Sequence, residues 1–321
     1  MRVVMCEAYG GPESLVLKSV DSPRPGPSEV KVRLCARGVS YTDVLRVAGQ
    51  YHVKTPPPFI PGGEAAGEIV ELGSEVEGFN VGDRVLCGGG FAEETLQAAS
   101  SVIKLPETVG FEAAAASLLK GMTTEFLLRR CYPVKAGETI LVHAAAGGVG
   151  TLMVQWAKAL GAIVIGTVGS EAKAELARSL GCDHVILYRH EDVAARVREI
   201  TGGVGVPVAY DSVGKDTFEG TLGSLARRGL FVTFGNASGP VPAFEPARLQ
   251  RAGSLFLTRP TLVDYIATPE ELDASAGALF GMIAVGKLRI EIGQRFKLAE
   301  ARKAHEALER RETIGASLLI P

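Results

Sequence analysis

The chain has 321 residues, 46% of them hydrophobic and 22% charged, and a net charge of −2. That length favours two domains over a single core, and the near-neutral balance gives no reason to expect nucleic acid or an anionic membrane surface as the main partner. Cys6, Cys35, Cys87, Cys131 and Cys182 are scattered with no C-x-x-C pair, which argues against a disulfide framework and a structural zinc site and suits a reducing, cytoplasmic setting. Residues 1–7 form too short an apolar run for a signal peptide, and no run reaches the ~20 residues of a membrane span.

Residues 1 to about 105 read as short strands at 3–7, 15–20, 29–36, 67–72, 84–86 and 91–97. Gly10-Gly11-Pro12, Pro23-Arg24-Pro25-Gly26-Pro27 and the turn from Gly78 to Asp83 separate them, so a compact β-barrel-like domain is expected. Ser40-Tyr41-Thr42-Asp43-Val44-Leu45-Arg46-Val47 breaks the pattern as a short helix with Ser40 near its cap. Residues 111–130 are alanine-rich and helical, with a break expected near Lys120-Gly121. After Pro133, strands at 139–143, 163–168, 184–188, 206–210, 230–234 and 254–257 alternate with helical patterns at 149–160, 171–180, 191–200 and 217–226. Such alternation means a parallel sheet with helices on both faces. After Pro260 come a helix (270–285), a strand (287–292), a helix (299–309) and a strand (316–320). They are too few for a third domain and are expected to complete the first.

The first alternation carries the chemistry. The apolar run Thr139-Ile140-Leu141-Val142-His143 ends in Ala144-Ala145-Ala146-Gly147-Gly148-Val149-Gly150, and a helix follows. This is A-x-G-x-x-G, with Ala145 where a first glycine stands in the dinucleotide fingerprint. Gly147 lets the backbone approach a pyrophosphate, Gly150 lets the helix pack on the strand, and the helix N-terminus offers N–H groups to phosphate. An NAD site places Asp or Glu at the end of the second strand to bind the ribose 2′-hydroxyl. Here Val168-Gly169-Ser170 carry no carboxylate, Lys173 follows one turn later, and Tyr188-Arg189 end the third strand. Small residues beside a cation suit a 2′-phosphate, so the predicted cofactor is NADPH.

With these segments in view the chain resembles the zinc-independent NADPH:quinone oxidoreductases, the zeta-crystallin-like branch of the medium-chain dehydrogenase/reductase superfamily. The resemblance spans essentially the whole chain. It is carried by Leu119-Lys120-Gly121-Met122-Thr123, the 143–150 turn, Tyr210-Asp211-Ser212-Val213-Gly214, Phe234-Gly235-Asn236-Ala237-Ser238-Gly239 and Gly315-Ala316-Ser317-Leu318-Leu319-Ile320-Pro321. It implies an α/β fold: a GroES-like β-barrel-type catalytic domain (1–122, completed by 261–321) around a doubly wound Rossmann cofactor domain (123–260). It also implies a homodimer, paired edge to edge through the cofactor-domain sheets.

Zinc-containing relatives carry Cys and His where this chain has Ser40 and Tyr41, and a ligand His where it has Gly63. A hydroxyl and a hydrogen do not replace thiolate and imidazole, so no metal is expected. Several quinone reductases also carry Asn at the Ser40 position and an aromatic at Leu45, so the resemblance leaves the acceptor open. It implies hydride transfer from nicotinamide C4 to a quinone, with Ser40, Tyr41 and Tyr51 as candidate donors to the oxygen that gains charge. The implied cofactor set is Tyr51, Lys120, Thr123, Ala146, Gly147, Gly148, Val149, Gly150, Gly169, Ser170, Lys173, Tyr188, Phe234, Gly235, Asn236, Leu257, Thr258, Arg259 and Ser317.

Plainer readings stand beside these. Ser40 serves as a helix cap, Tyr41 as a core aromatic, Asp43 and Glu64 as loop anchors, and Asp211 as a turn residue. His52, His143, His184, His190 and His305 never fall at ligand spacing and are assigned no chemistry. Two other functions fit the same residues: an NADPH-dependent enoyl, alkenal or substituted-acrylate reductase, and a non-catalytic NADPH-binding protein of crystallin-like or RNA-binding type.

Overall fold

A computed structural model describes residues 1–51 and 53–321; His52 lies outside the described residues. The chain forms two units, one of Met1–Met122, Thr268–Gly286 and Ile290–Pro321, the other of Thr123–Ala267 with Lys287–Arg289.

The first unit is built on a seven-stranded sheet. Its order is Ile292–Lys297, Ala316–Ile320, Glu29–Val39, Glu64–Leu72, Arg84–Cys87 and Ile103–Lys104, with Glu94–Ala98 also paired to Glu29–Val39. Alternation in the long strand sends Val30, Val32 and Leu34 into a core with Ile69 and Val85. Lys31 and Arg33 face the other way and meet Glu71 and Glu68 across the antiparallel pair. The C-terminal strand lies beside this one, with Ser317 opposite Val39 and Leu319 opposite Arg37, so the end of the chain completes the first unit.

The second unit is a six-stranded parallel sheet. Across it run His184–Leu187, Ile163–Val168, Thr139–Val142, Val206–Asp211, Leu225–Thr233 and Phe256–Thr258. The order reverses between Thr139–Val142 and Val206–Asp211, which puts a switch point at the glycine turn after Val142. Leu141, Ile165, Ile186, Ala209 and Phe231 are fully buried in its core. Among the described residues no helix is long and apolar enough to cross a membrane.

Four expectations are corrected. The helix Phe111–Phe126 runs unbroken through Lys120-Gly121. Gly121 is small there because a Cβ would overlap the Leu279 side chain on the helix Pro269–Ala284. The strand expected at 287–292 is Ile292–Lys297. Lys287–Arg289 go instead to the second unit, where the Gln155 carboxamide accepts from Arg289 N at 2.8 Å and donates to Arg289 O at 3.0 Å. The second unit ends at Ala267, past the boundary expected at 260. Tyr265 stacks on Phe126 at 4.3 Å between centroids, and Arg130 donates to the Tyr265 carbonyl at 2.6 Å. The strand read at 230–234 begins earlier and spans Leu225–Thr233, with its pairing shifted between Val206 and Val208.

Candidate active site

In the second unit, the turn after Val142 is built from close backbone packing. Ala144 takes a left-handed φ of 53°, and a Cβ on Gly150 would overlap the Ala144 carbonyl. A Cβ on Gly147 would sit 3.1 Å from the same oxygen. Gly147 is the N-cap of the helix Gly148–Ala159, whose first turn carries no acidic residue. The N–H groups of Gly148, Val149 and Gly150 therefore have no intrahelical acceptor, and the positive end of the helix dipole meets no side-chain anion of its own. Ala146 is buried beneath them.

Beside this turn the second strand ends at Val168 and the next helix begins with Ser170 as its N-cap. Ser170 is exposed, and Lys173 is half-buried one turn on. The Tyr188 hydroxyl lies 2.7 Å from where a Cβ on Gly169 would be, so Tyr188 reaches across this strand end. Gly169, Ser170, Lys173 and Tyr188 thus come together at two neighbouring strand ends. This neighbourhood fits the phosphates of NADPH: small residues, free N–H groups and a lysine, with no carboxylate at the strand end.

Further across the sheet, Arg259 donates to the Thr233 carbonyl at 2.9 Å and to Asn236 Oδ1 at 3.3 Å. It holds Phe234, Gly235 and Asn236 to Leu257, Thr258 and Arg259. Gly235 is required because a Cβ would overlap the Ser212 carbonyl.

Under these loops lies a buried polar network that the sequence reading assigned no chemistry. His143 Nδ1 bonds Thr167 Oγ1 at 3.0 Å, and its Nε2 bonds Thr221 Oγ1 at 2.9 Å. Burial holds the His143 pKa below its usual value, against the opposing field of Asp211. Asp211 accepts from Thr217 Oγ1 at 2.6 Å and from the N–H groups of Val213 and Gly214 at 2.7 and 3.1 Å. The pattern was invisible in sequence because its threonines stand 24 and 78 residues from the histidine.

Of the remaining candidates, Thr123 begins the second unit and the others belong to the first. Ser40 caps the helix Tyr41–Val47, and the Asp43 carboxylate accepts from Ser40 N at 2.9 Å and from Ser40 Oγ at 3.0 Å. Ser40 Oγ also lies 2.6 Å from Thr42 Oγ1. The single Ser40 proton is therefore engaged within the cap. Tyr41 is half-buried, and burial raises its pKa. The Tyr51 ring lies beneath the Arg46 guanidinium at 5.0 Å. Lys120 forms a buried ion pair with Glu64, whose other oxygen accepts from Leu119 N at 2.9 Å. Thr123 is half-buried on the same helix as Lys120. Ser317 is buried in the sheet, and its hydroxyl donates to Gln294 Oε1 at 3.0 Å. Among the described residues no three His, Cys, Asp or Glu side chains form a group that could hold a metal ion.

Residues 26–127 match the family model of the alcohol dehydrogenase GroES-like domain, and residues 148–272 that of the zinc-binding dehydrogenases. A quinone oxidoreductase of Pseudomonas aeruginosa is 51% identical over 321 residues, covering 98% of each chain. This chain belongs to the quinone oxidoreductase family, among the medium-chain dehydrogenases and reductases. The crystal structure of Escherichia coli quinone oxidoreductase complexed with NADPH matches it with a TM-score of 0.96 at 43% identity, covering 100% of both chains. A 2-haloacrylate reductase of a Burkholderia species is 43% identical, covering 97% of this chain and 96% of its own. In this quinone oxidoreductase family member the zinc-ligand positions hold Ser40, Tyr41 and Gly63, a donor set without thiolate or imidazole.

Proposed function

We propose that this protein catalyses NADPH-dependent reduction of quinones, as a zinc-independent member of its family. The observation that carries the reading is the second strand end at Gly169-Ser170. It pairs a carboxylate-free turn with Lys173 and Tyr188, in a chain half identical to a quinone oxidoreductase. When bound, NADPH supplies a hydride from its nicotinamide C4.

The chain's part is to bind, orient and hold charge. Ala146 and the turn from Gly147 to Gly150 receive the pyrophosphate on backbone N–H groups. Gly169, Ser170, Lys173 and Tyr188 receive the 2′-phosphate. The arginine-tied loops of Phe234–Gly235–Asn236 and Leu257–Thr258–Arg259 are proposed at the nicotinamide end. Lys120, Thr123, Tyr51 and Ser317 complete the proposed cofactor set, and the Tyr41 and Tyr51 hydroxyls are proposed donors to the acceptor oxygen. Ser40 acts by holding Asp43. The remainder of the proposal is a cytoplasmic homodimer, supported by five cysteines that are all free thiols and by the exposed edge strand Phe256–Thr258 of the cofactor sheet.

The test is chelator-treated protein mixed with NADPH or NADH against a para-quinone and against a conjugated acrylate, following loss of reduced-nicotinamide absorbance. The expected result is fast NADPH oxidation with the quinone that chelator does not change. Oxidation with the acrylate alone would transfer the protein to the alkene reductases, the activity that the Burkholderia relative's name describes. NADPH binding with no oxidation by any acceptor would leave a non-catalytic role, and RNA binding would then be examined by gel shift.

A further inference from the structure

The buried network of the second unit ties into the loops assigned to the cofactor. We propose that His143 is a positioning residue for hydride transfer: through Thr221 and Asp211 it fixes the loop Ser212–Val213–Gly214, on which the loop Phe234–Gly235–Asn236 at the nicotinamide end is seated. The inference rests on the NADPH-dependent quinone-reductase reading.

The hydrogen bonds allow one tautomer of His143. Thr221 Oγ1 has a single proton and faces two groups that only accept, Asp211 Oδ2 at 3.1 Å and the Thr217 carbonyl at 2.8 Å. The 2.9 Å bond between Thr221 Oγ1 and His143 Nε2 therefore takes its proton from the imidazole. Nδ1 is then the acceptor, and Thr167 Oγ1 donates to it at 3.0 Å. Burial favours this neutral ring over an imidazolium. No proton leaves the ring during turnover, and its action is geometric.

From Asp211 the connection runs on through backbone. Oδ1 accepts from the N–H groups of Val213 and Gly214, and Oδ2 from Thr217 Oγ1 as well as Thr221. Phe234 N donates to Asp211 O at 2.8 Å, Ala237 N to Ser212 O at 3.3 Å and Ser238 N to Val213 O at 2.8 Å. Gly214 has a φ of 93°, and a Cβ on it would overlap the Gly239 carbonyl. The two loops are thus one stitched piece anchored at Asp211, and a shift of Asp211 carries Gly235 and Asn236 with it.

The second strand end does not depend on the imidazole in this way. Ala145 N donates to Thr167 O at 3.1 Å, and Val142 pairs with Gly166 in the parallel sheet. Loss of the imidazole therefore acts on the nicotinamide end and leaves the phosphate turns in place.

The experiment compares wild type, His143→Gln, His143→Leu, Thr221→Val and the double variant His143→Leu/Thr221→Val. Rates with a para-quinone are taken per titrated NADPH site, well below the melting temperature of each protein. His143→Leu and Thr221→Val are each expected to lose roughly tenfold in kcat, less than a misplacement of about an ångström can cost, with KM for NADPH within about twofold of wild type. His143→Gln keeps an N–H for Thr221 and is expected to stay within about threefold of wild type. The double variant is expected to match the worse single variant within about twofold, because both changes cut one connection. In cofactor-free protein at neutral pH, nitrogen-15 NMR is expected to show a protonated Nε2 and a bare Nδ1 among the imidazole signals that His143→Gln removes. A lowered melting temperature with wild-type kcat, a loss in KM instead of kcat, a multiplied loss in the double variant, no rescue by glutamine, or the other tautomer overturns the proposal. A wild type that binds NADPH and is inert toward every quinone defeats the underlying reading and the inference with it.

Discussion

At Ser170 a single exposed side chain stands where a carboxylate would choose the other cofactor. It is also a helix N-cap, a position where aspartate is as well tolerated as serine, so Ser170→Asp is expected to fold normally. Its charge would repel a 2′-phosphate and accept a hydrogen bond from a 2′-hydroxyl. We predict that kcat/KM for NADPH relative to NADH falls at least about tenfold, read from initial rates with both cofactors. Residues of this kind were legible because their meaning is local: a strand, a turn and a helix in order fix where Gly147, Gly150 and Ser170 stand. Asp43 was legible only as a loop anchor, because its full burial, at 1% exposure, comes from tertiary packing that no local pattern names.

The helix Ala301–Glu309 turns His305 into the core of the first unit, edge-on to Phe91 at 5.7 Å between centroids. Its Nε2 is buried without a hydrogen-bond partner among the described residues, and burial pushes its pKa down to about 4. The unfolded chain takes up this proton near pH 6.5, while the folded chain refuses it until about pH 4. Stability is therefore greatest above pH 6.5 and falls as the pH drops through that window. We predict that between pH 7 and pH 4 the wild type loses roughly 3 kcal/mol more than His305→Leu, measured by urea unfolding. At this scale sequence periodicity found the first four helices between strands of the cofactor sheet within two residues, and missed the short helix Ala247–Arg251. It failed where tertiary contacts override local signals. Gly121 reads as a helix breaker and is a packing site against Leu279. The alternating charged and apolar residues at 287–292 read as a strand, and the segment instead begins with a loop gripped by Gln155.

For the molecule as a whole, the six-stranded sheet ends on a short strand whose Phe256 is 61% exposed, with backbone groups free to pair. If the homodimer forms through this edge, Phe256→Asp is expected to shift the protein to the monomer mass in analytical ultracentrifugation while melting within a few degrees of wild type. In the sequence the period of apolar residues changes from two to helical alternation near residue 110, and the four elements after Pro260 are too few to stand alone; in the structure the units divide after Met122 and after Ala267. The cross-over at Lys287–Arg289 had no such signal, since three residues carry no period.

The last strand has a consequence for synthesis. Ala316–Ile320 sits between Ile292–Lys297 and Glu29–Val39, so the sheet begun at Glu29–Val39 closes only once Ala316–Ile320 has been made. At a synthesis rate of about 5–20 residues per second, the roughly 280 residues in between take on the order of fifteen to fifty-five seconds. From residue 267 onward the cofactor unit, contiguous from Thr123 to Ala267, has almost all of its sequence available to fold, while the edge at Arg37–Gly38–Val39 still waits open. A nascent chain paused before residue 316 would present that edge to its neighbours on a polysome, and this is the stage at which a chaperone would matter most.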